Sequence, residues 1–327
     1  MTLPTLGIDL AKDKFDVALR HHDRSTHKVF PNTAEGITTL LDWLQAQGHP
    51  HVHAGLEATG TFGDDLAVKL HEAGHVVSIL NPAVLKAFRQ STLTRTKNDR
   101  TDARLLARYV ALHQPKPWTP PAPEVRELQA LARRLESLHQ MRQQEHNRLT
   151  SGGRSTRVTE SVQTILAALE AEIERVEQLL QDHIQQHPQL KAQHDLLCTI
   201  PGIGAKTATT LLAECGDLRT YSDARAVAAY AGLTPKQHQS GSSVHGKPRL
   251  CKIGSARLRK AMYFPAIVAQ RYNPVIKAFC DNLLERGKHK MTVIGAAMRK
   301  LLHLAYGVVK SGKAFDPNYA KSKPIAA

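Results

Sequence analysis

The segment LPTLGIDL, residues 3–10, decides the fold of the first part of the chain. It is an apolar run of strand length that carries one acid, Asp9. The turn AKDK at residues 11–14 leads into a second apolar run, FDVAL at residues 15–19, so the sequence predicts two strands joined by a tight hairpin. An acid inside such an apolar strand is rarely an ordinary solvent-exposed residue, which makes Asp9 the first candidate functional residue.

Strand and helix patterns alternate from here to about residue 115. Further strands are predicted over residues 51–56 and 75–80, and helices over residues 35–47, 63–73 and 99–112. Interleaved strands and helices predict an α/β fold, in which helices cover a sheet.

The middle of the chain has a different pattern. Five prolines between residues 115 and 123 mark a stiff boundary. Two narrow apolar seams follow, which predict two long helices that pack as an antiparallel hairpin or as a coiled coil with a partner chain. The seams comprise Leu128, Leu131, Leu135, Leu138, Val162, Ile165, Leu169, Ile173, Val176 and Leu180. The rest is predicted to be mainly helical, giving regions 1–115, 116–190 and 191–315 and a polar, mobile tail, 316–327.

The net charge of +15 is concentrated in the last part of the chain. Residues 1–115 hold 13 Lys and Arg against 12 Asp and Glu, and residues 116–190 hold 9 against 10. Residues 191–327 hold 22 against 7, and no acid occurs between Asp223 and Asp281. Such a segment favours a polyanionic partner. Nucleic acid fits better than an anionic membrane, because no long basic amphipathic stretch is present.

The sequence also argues against several classes of protein. The N-terminus lacks the basic and apolar regions of a signal peptide, and no run approaches the length of a membrane span. The four cysteines lie far apart, which argues against a zinc site and predicts reduced thiols in a cytoplasmic protein.

Four carboxylates form a candidate metal site. Asp9 lies in the first strand, Glu57 follows the strand at 51–56, and Asp99 and Asp102 share one helix face. Carboxylates suit Mg²⁺, and two ions about 4 Å apart can activate a phosphodiester. A helical Asp pair taken alone is usually only solvated. The first strand also fits the phosphate loop of an actin-like ATPase, but the later glycine-rich signatures of those enzymes are not evident.

Basic residues provide candidate contacts to nucleic acid. The run PGIG at residues 201–204 predicts a turn between two helices. Its glycines, Gly202 and Gly204, would let a phosphate approach the backbone beside Lys206, and an ordinary helix–helix turn is the alternative. The other candidates are Lys97, Arg100, Lys247, Arg249, Lys252, Arg257, Arg259 and Lys260.

The block TPKQHQSGSSVHGK, residues 234–247, is predicted from its composition to be a flexible loop. A serine there can act as a nucleophile where cations or metal ions stabilise the developing charge. The residues alone leave Ser240, Ser242 and Ser243 open, with Ser255 less favoured.

Three motifs in order resemble the N-terminal domain of the insertion-sequence-110/1111 transposase family, whose relatives include Piv-type DNA invertases. They are GIDLAK at residues 7–12, EATG at 57–60 and TKNDRTDA at 96–103. The resemblance continues through the serine block and covers nearly the whole chain except the tail. It implies a RuvC-like, RNase H-type α/β domain, a helical hairpin or coiled coil, and a mainly helical transposase domain. It also implies Mg²⁺, two ions per site, on Asp9, Glu57, Asp99 and Asp102, with Ser240 as the nucleophile.

The resemblance further implies a reaction and its partners. Ser240 would attack a phosphodiester and form a transient phosphoserine link, exchanging strands between donor and target DNA without free double-strand breaks. A structured bridge RNA would choose the sequences, and dimers would pair into tetramers on DNA in the bacterial cytoplasm, associated with the nucleoid. Two rival functions stay open: a metal-only junction nuclease that uses water, and a non-catalytic nucleic-acid-binding protein.

Overall fold

The computed structural model describes residues 3–22, 24–57, 63–92, 98–151, 155–240 and 244–318. The chain forms two compact units, Met1–Pro120 and Pro121–Ala327. Their boundary falls in the predicted proline-rich segment, whereas residues before and after the predicted boundary at 190 share one hydrophobic core. The finer sequence-based division into regions stays a prediction.

The first unit is built on a mixed five-stranded sheet. Its strands are β1 (Thr5–Leu10), β2 (Lys14–His21), β3 (Arg24–Pro31), β4 (His53–Glu57) and β5 (Val76–Leu80). The strand order is β3-β2-β1-β4-β5. Strands β1, β2 and β3 pair antiparallel with one another, while β4 runs parallel to both β1 and β5. The predicted α/β fold is confirmed.

Helices α1 (Ala34–Ala46), α2 (Asp64–Glu72), α3 (Pro82–Ser91) and α4 (Asp99–His113) accompany this sheet. The sequence patterns did not predict β3 or α3. Strand β3 buries only one side chain, so it lacks the apolar alternation of a recognisable strand. Helix α3 begins at Asn81-Pro82, which resembles a strand stop but here caps and starts a helix.

Two glycines allow α4 to lie directly on the sheet. Gly7 of β1 and Gly55 of β4 are register partners. A Cβ at Gly7 would lie 2.0 Å from the carbonyl oxygen of Ala103, and one at Gly55 would lie 2.4 Å from a methyl group of Val110. The hydroxyl of Thr5 donates to the carbonyl oxygen of Ala107 at 3.1 Å. Helix α4 therefore runs antiparallel to β1, and its first turn lies near the end of that strand.

The second unit is mainly helical, as predicted. Its helices are α5 (Pro123–Thr150), α6 (Thr156–Gln186), α7 (Pro188–Cys198), α8 (Ala205–Cys215), α9 (Ala224–Tyr230), α10 (Ala256–Ala261), α11 (Tyr263–Tyr272), α12 (Pro274–Glu285) and α13 (Lys290–Ser311), with strands β6 (Pro235–Ser240) and β7 (Val244–Leu250). Among the helices described, none is long and apolar enough to cross a membrane.

Helices α5 and α6 form the predicted antiparallel hairpin. A ring nitrogen of His183, near the end of α6, lies 2.7 Å from the carbonyl oxygen of Glu124, at the start of α5. Both helices bury apolar side chains in the core of this unit. Ile165 is 45% exposed, so the hairpin does not bury this residue of the predicted seam. A coiled coil with a partner chain stays a prediction.

The prediction of a flexible loop over residues 234–247 was wrong for the part described. Strands β6 and β7 pair antiparallel, from Pro235 opposite Leu250 to Ser240 opposite Val244. These strands are mostly polar and include Gly246 and a proline, so no apolar alternation marks them in the sequence. Residues 241–243 lie outside the described ranges.

Candidate functional site

Two predicted acids lie at the ends of the two central parallel strands. Ile8 of β1 pairs with Leu56 of β4, so Asp9 and Glu57 follow at matched positions. Parallel strands end at the same edge of a sheet, and both acids are half-buried there.

Helix α4 adds the other two predicted acids. Asp99 and Asp102 lie in its first turn, where the positive end of the helix dipole favours negative charge. A capping box fixes this turn: the side-chain oxygen of Asn98 accepts from the Thr101 amide at 2.8 Å, and the Thr101 hydroxyl accepts from the Asn98 amide at 3.1 Å. The backbone near both carboxylates is therefore well defined.

The pKa of Asp9 reflects both its burial and the charges of the other acids. Burial, followed by the charges of Asp102, Asp99, Glu57 and Asp16, raises the pKa of Asp9 to about 6. Acids that are distant in sequence thus act on one carboxyl group. We call these five residues the acid cluster.

Asp16 is a member of the acid cluster that sequence reasoning missed. It pairs with Asp9 across β1 and β2, and its side chain is buried. One carboxylate oxygen lies 2.7 Å from a ring nitrogen of His27, and the other accepts from the ammonium of Lys14 at 3.1 Å. The signal was available, because Asp16 interrupts an apolar run just as Asp9 does.

Two cations hold the acids of α4. The ammonium of Lys14 donates to Asp99 at 2.8 Å, which raises the pKa of Lys14 and holds the pKa of Asp99 below its usual value. A guanidinium nitrogen of Arg89 lies 2.6 Å from an oxygen of Asp102. Sequence reasoning missed both cations, since no local spacing links residue 14 to 99 or 89 to 102.

The acid cluster fits a hard divalent cation. Five carboxylates with two neighbouring cations leave an excess of negative charge, and oxygen donors of this kind suit Mg²⁺. Asp9, Glu57, Asp99 and Asp102 are the residues that would hold it. In the described part of the chain, no three His, Cys, Asp or Glu side chains already surround one metal position.

The predicted turn at PGIG between two helices is confirmed, with α7 before the turn and α8 after it, while its role as a phosphate-binding, helix-hairpin-helix-like motif stays a prediction. Gly202 has a φ of +105°, and a Cβ there would lie 2.7 Å from that of Ala269 on α11. A glycine is therefore needed at position 202 for packing, whereas a side chain at position 204 would have room. Fully buried Asn273 holds the turn by donating to the carbonyl oxygen of Pro201 at 3.1 Å.

Three predicted nucleic-acid contacts come together beside α5. Lys206 of α8 donates to His139 at 3.2 Å. Arg257 and Lys260 of α10 lie 3.4 and 3.6 Å from the carboxylate of Glu136, one turn before His139 on α5. Burial and the charges of Lys206 and Arg142 lower the pKa of His139. We call Lys206, Arg257 and Lys260 the basic surface.

The other predicted basic contacts are scattered. Arg259 is half-buried and donates to the carbonyl oxygens of Ala231 and Lys252 at 3.1 and 3.2 Å, which gives it a structural role. Arg100, Arg249 and Lys252 are exposed. Lys97 and the side chain of Lys247 lie outside the described part. The binding roles of all these residues stay predictions.

The backbone of Ser240 ends β6, and its side chain lies outside the described part. Ser242 and Ser243 lie outside the described residues altogether. The hydroxyl of Ser255 caps α10 and donates to the Glu214 carboxylate at 2.9 Å, so Ser255 has a structural role.

Comparisons with known proteins identify a family and several relatives of this chain. Residues 6–152 match a family described as "Transposase", and residues 194–281 match the "Transposase IS116/IS110/IS902 family". The chain is 35% identical to the pilin gene-inverting proteins of Moraxella bovis and Moraxella lacunata, over 97% of this chain and 98% of each relative. It is 25% identical to the transposase for insertion sequence element IS1328 of Yersinia enterocolitica, over 95% of this chain and 98% of that protein.

A solved structure of T. thermophilus RuvC in complex with a Holliday junction substrate is a weaker match. It is 13% identical and covers 36% of this chain and 99% of that chain, with a TM-score of 0.27. A likeness at this level does not define the fold.

These matches define the class of the protein: it is a DNA recombinase or transposase, built from an α/β unit with clustered acids and a helical unit with a basic surface. The chain belongs to the IS110 family of transposases.

Proposed function

We propose that the protein exchanges DNA strands through a serine-linked intermediate, with a RuvC-like, RNase H-type first unit. Ser240 attacks the phosphodiester, and Asp9, Glu57, Asp99 and Asp102 hold Mg²⁺ at the reacting phosphate. The observation that carries the metal role is the position of the acids: Asp9 and Glu57 at matched ends of β1 and β4, Asp16 opposite Asp9, and Asp99 and Asp102 in the first turn of α4. The pKa of Asp9, which burial and these charges raise to about 6, agrees with it. The strand order and the small-residue contact of α4 on β1 support the RNase H-type assignment.

The chemistry divides between the two units. Bound Mg²⁺ would polarise the phosphodiester and stabilise charge on the attacking and leaving oxygens. The Ser240 oxygen forms a bond to phosphorus, one P–O bond of DNA breaks, the serine proton passes to solvent, and the released sugar oxygen takes up a proton. A DNA hydroxyl later attacks the phosphoserine and restores Ser240. The basic surface holds the phosphate backbone during both steps.

The assembly and its RNA partner belong to the same proposal. The acids lie in the first unit and Ser240 in the second, so the serine of one protomer can act with the acids of another, in dimers that pair into tetramers. The exposed cations suit a nucleic-acid backbone rather than base edges, which leaves sequence choice to a bridge RNA. The names of the relatives, a gene-inverting protein and a transposase, support a DNA rearrangement.

A covalent-adduct assay tests the proposal. The full-length protein is mixed with Mg²⁺, RNA from its genomic flank and labelled DNA carrying the element junction, and then denatured. We expect a protein–DNA adduct in the wild type and in Ser242→Ala and Ser243→Ala, and none in Ser240→Ala or Asp102→Ala.

Other outcomes favour the rival functions. Cutting without an adduct that survives Ser240→Ala identifies a water-using junction nuclease, which the acid cluster supports equally well. Binding of DNA without any cutting, in every condition, identifies a non-catalytic nucleic-acid-binding protein.

A further inference from the structure

We infer that Lys14 is a movable counter-ion of the acid cluster, which holds Asp99 in the metal-free protein and transfers to a DNA phosphate when a divalent cation takes that carboxylate. Metal and DNA binding are thereby coupled through one side chain. This inference rests on the metal role proposed above.

The contacts of Lys14 place it between two acids of unlike character. Its ammonium donates to Asp99 at 2.8 Å and to Asp16 at 3.1 Å. The Asp16 side chain is 6% exposed, whereas that of Asp99 is 57% exposed. Asp16 is therefore a fixed anchor on β2, and Asp99 is the partner that solvent and metal ions can reach.

A metal ion and Lys14 compete for the same carboxylate. Both carry positive charge, and both need an oxygen of Asp99 at close range. Lysine carries its charge on a flexible four-carbon stem with three donors, so its ammonium can move away while its backbone stays in β2. The Lys14 side chain is 47% exposed, which leaves it a path into solvent.

A DNA phosphate is the anion that would receive the displaced ammonium. The proposed reaction brings a phosphodiester to the acid cluster, and lysine binds phosphate as a point charge. Lys14 then adds positive charge beside the reacting phosphate and no longer neutralises Asp99. Mg²⁺ alone lacks this exchange, so it must displace Lys14 without compensation.

Arg89 does not share this behaviour. Its side chain is 25% exposed and holds Asp102, which is 17% exposed, across the contact between α3 and α4. Because both side chains of this pair are largely buried, Arg89 is a fixed partner, and we assign the movable role to Lys14 only.

Mn²⁺ binding to the full-length protein, measured by electron paramagnetic resonance, tests the inference. The titration is run with and without a short duplex DNA that lacks element ends, so that strand transfer does not interfere. Without DNA, Lys14→Met should bind Mn²⁺ at least threefold more tightly than the wild type. DNA should tighten Mn²⁺ binding by the wild type at least threefold and should have little effect on binding by Lys14→Met.

Matched variants separate this role from a general charge effect. Lys69→Met removes a lysine of the same unit whose ammonium donates to Glu72 at 2.8 Å, and it should behave as the wild type. Lys14→Arg keeps the charge and should retain the coupling to DNA. Thermal unfolding in EDTA verifies that each variant folds.

The outcomes distinguish the inference from the proposed function. If Asp9→Asn abolishes Mn²⁺ binding but Lys14→Met leaves both the affinity and its coupling to DNA unchanged, the inference is wrong and the metal role stands. If Asp9→Asn binds Mn²⁺ as well as the wild type, the metal role is wrong and the inference falls with it.

Discussion

The acid cluster and the basic surface carry opposite charge, and they differ in how rigidly the fold holds their side chains. Each contains a minority of the opposite sign: Lys14 and Arg89 among the acids, and Glu136 among the cations. The acids stand on central strands and on a helix packed against them, and Asp16 is buried. The cations end long side chains on exposed helix faces, and Lys260 is 75% exposed.

This difference follows from what each region would bind. A divalent cation needs several oxygens at fixed positions, so its ligands belong on rigid elements. A phosphate backbone is held largely by positive potential, which tolerates mobile side chains and alternative contacts. The comparison predicts that metal binding by the acid cluster depends on the positions of its backbone. It also predicts that DNA binding by the basic surface depends on its net charge.

Breaking the support of the acid cluster should have the largest effect. In Gly7→Val, the new Cβ would meet the Ala103 carbonyl oxygen at 2.0 Å and the Ala107 amide nitrogen at 2.3 Å, so α4 must move. We expect a loss of about 1–3 kcal/mol in the free energy of unfolding and a fall of roughly 100-fold in DNA cleavage. Urea unfolding and the adduct assay measure the two effects.

Gly307→Ala is the matched control, because no atom lies within 4 Å of its Cβ position. It should be at least as stable as the wild type, since alanine favours a helix more than glycine does, and should keep wild-type cleavage. Wild-type cleavage by Gly7→Val would contradict the requirement that α4 lie directly on β1.

The turn before α8 should respond to its buried anchor. Asn273→Ala removes the donor to Pro201 and the acceptor for the amides of Val275 and Ile276. An unsatisfied buried partner costs about 1–3 kcal/mol, and we expect weaker binding of duplex DNA from displacement of the turn. Fluorescence anisotropy and thermal unfolding report these changes. If the Asn273→Ala variant folds and binds DNA as tightly as the wild type, the turn does not contribute to DNA binding.

Asp9 should make the metal-free protein sensitive to pH. Its pKa is about 6 in the folded protein against an ordinary 3.8, so the folded state binds more protons between these values and stability falls as pH rises through them. Asp9→Asn removes this dependence and should be more stable at pH 7 in EDTA, by on the order of 1 kcal/mol after allowance for solvent screening. Urea unfolding at pH 4.5 and 7 tests this, and parallel pH profiles for both proteins would contradict it.

The smallest effect should come from the minority acid of the basic surface. Glu136→Gln frees Arg257 and Lys260 from their shared carboxylate. We expect duplex DNA to bind about threefold more tightly at low salt, with a steeper salt dependence. Glu172→Gln, which breaks the Arg175 pair on α6, is the control and should leave DNA affinity unchanged. Weaker binding by Glu136→Gln would show that the carboxylate orients the cations instead.

The sequence predicted the acids because local patterns mark them. Asp9 interrupts an apolar strand, and Asp99 and Asp102 share a helix face. The cations that hold them were missed because Lys14 and Arg89 meet their partners only through tertiary packing. Pairings between distant residues leave no periodic trace in a single sequence.

In the serine region, composition gave a prediction that the structure contradicts. Composition predicted a loop over residues 234–247, but backbone hydrogen bonds pair β6 with β7 without an apolar face. In the same region, Arg259 fits a nucleic-acid contact by charge, yet its guanidinium binds two carbonyl oxygens of the chain. Charge patterns predicted a partner for the second unit but could not sort structural cations from exposed ones.

The glycine pair beneath α4 has a consequence for protein engineering. Grafting four carboxylates onto another sheet would not reproduce this arrangement, because a host strand with side chains at the positions of Gly7 and Gly55 would hold the helix too far away. The part to transfer is the glycine pair together with helix α4, which packs on it, because these elements set the positions of the acids. A designer would copy the empty space first and choose the ligands afterwards.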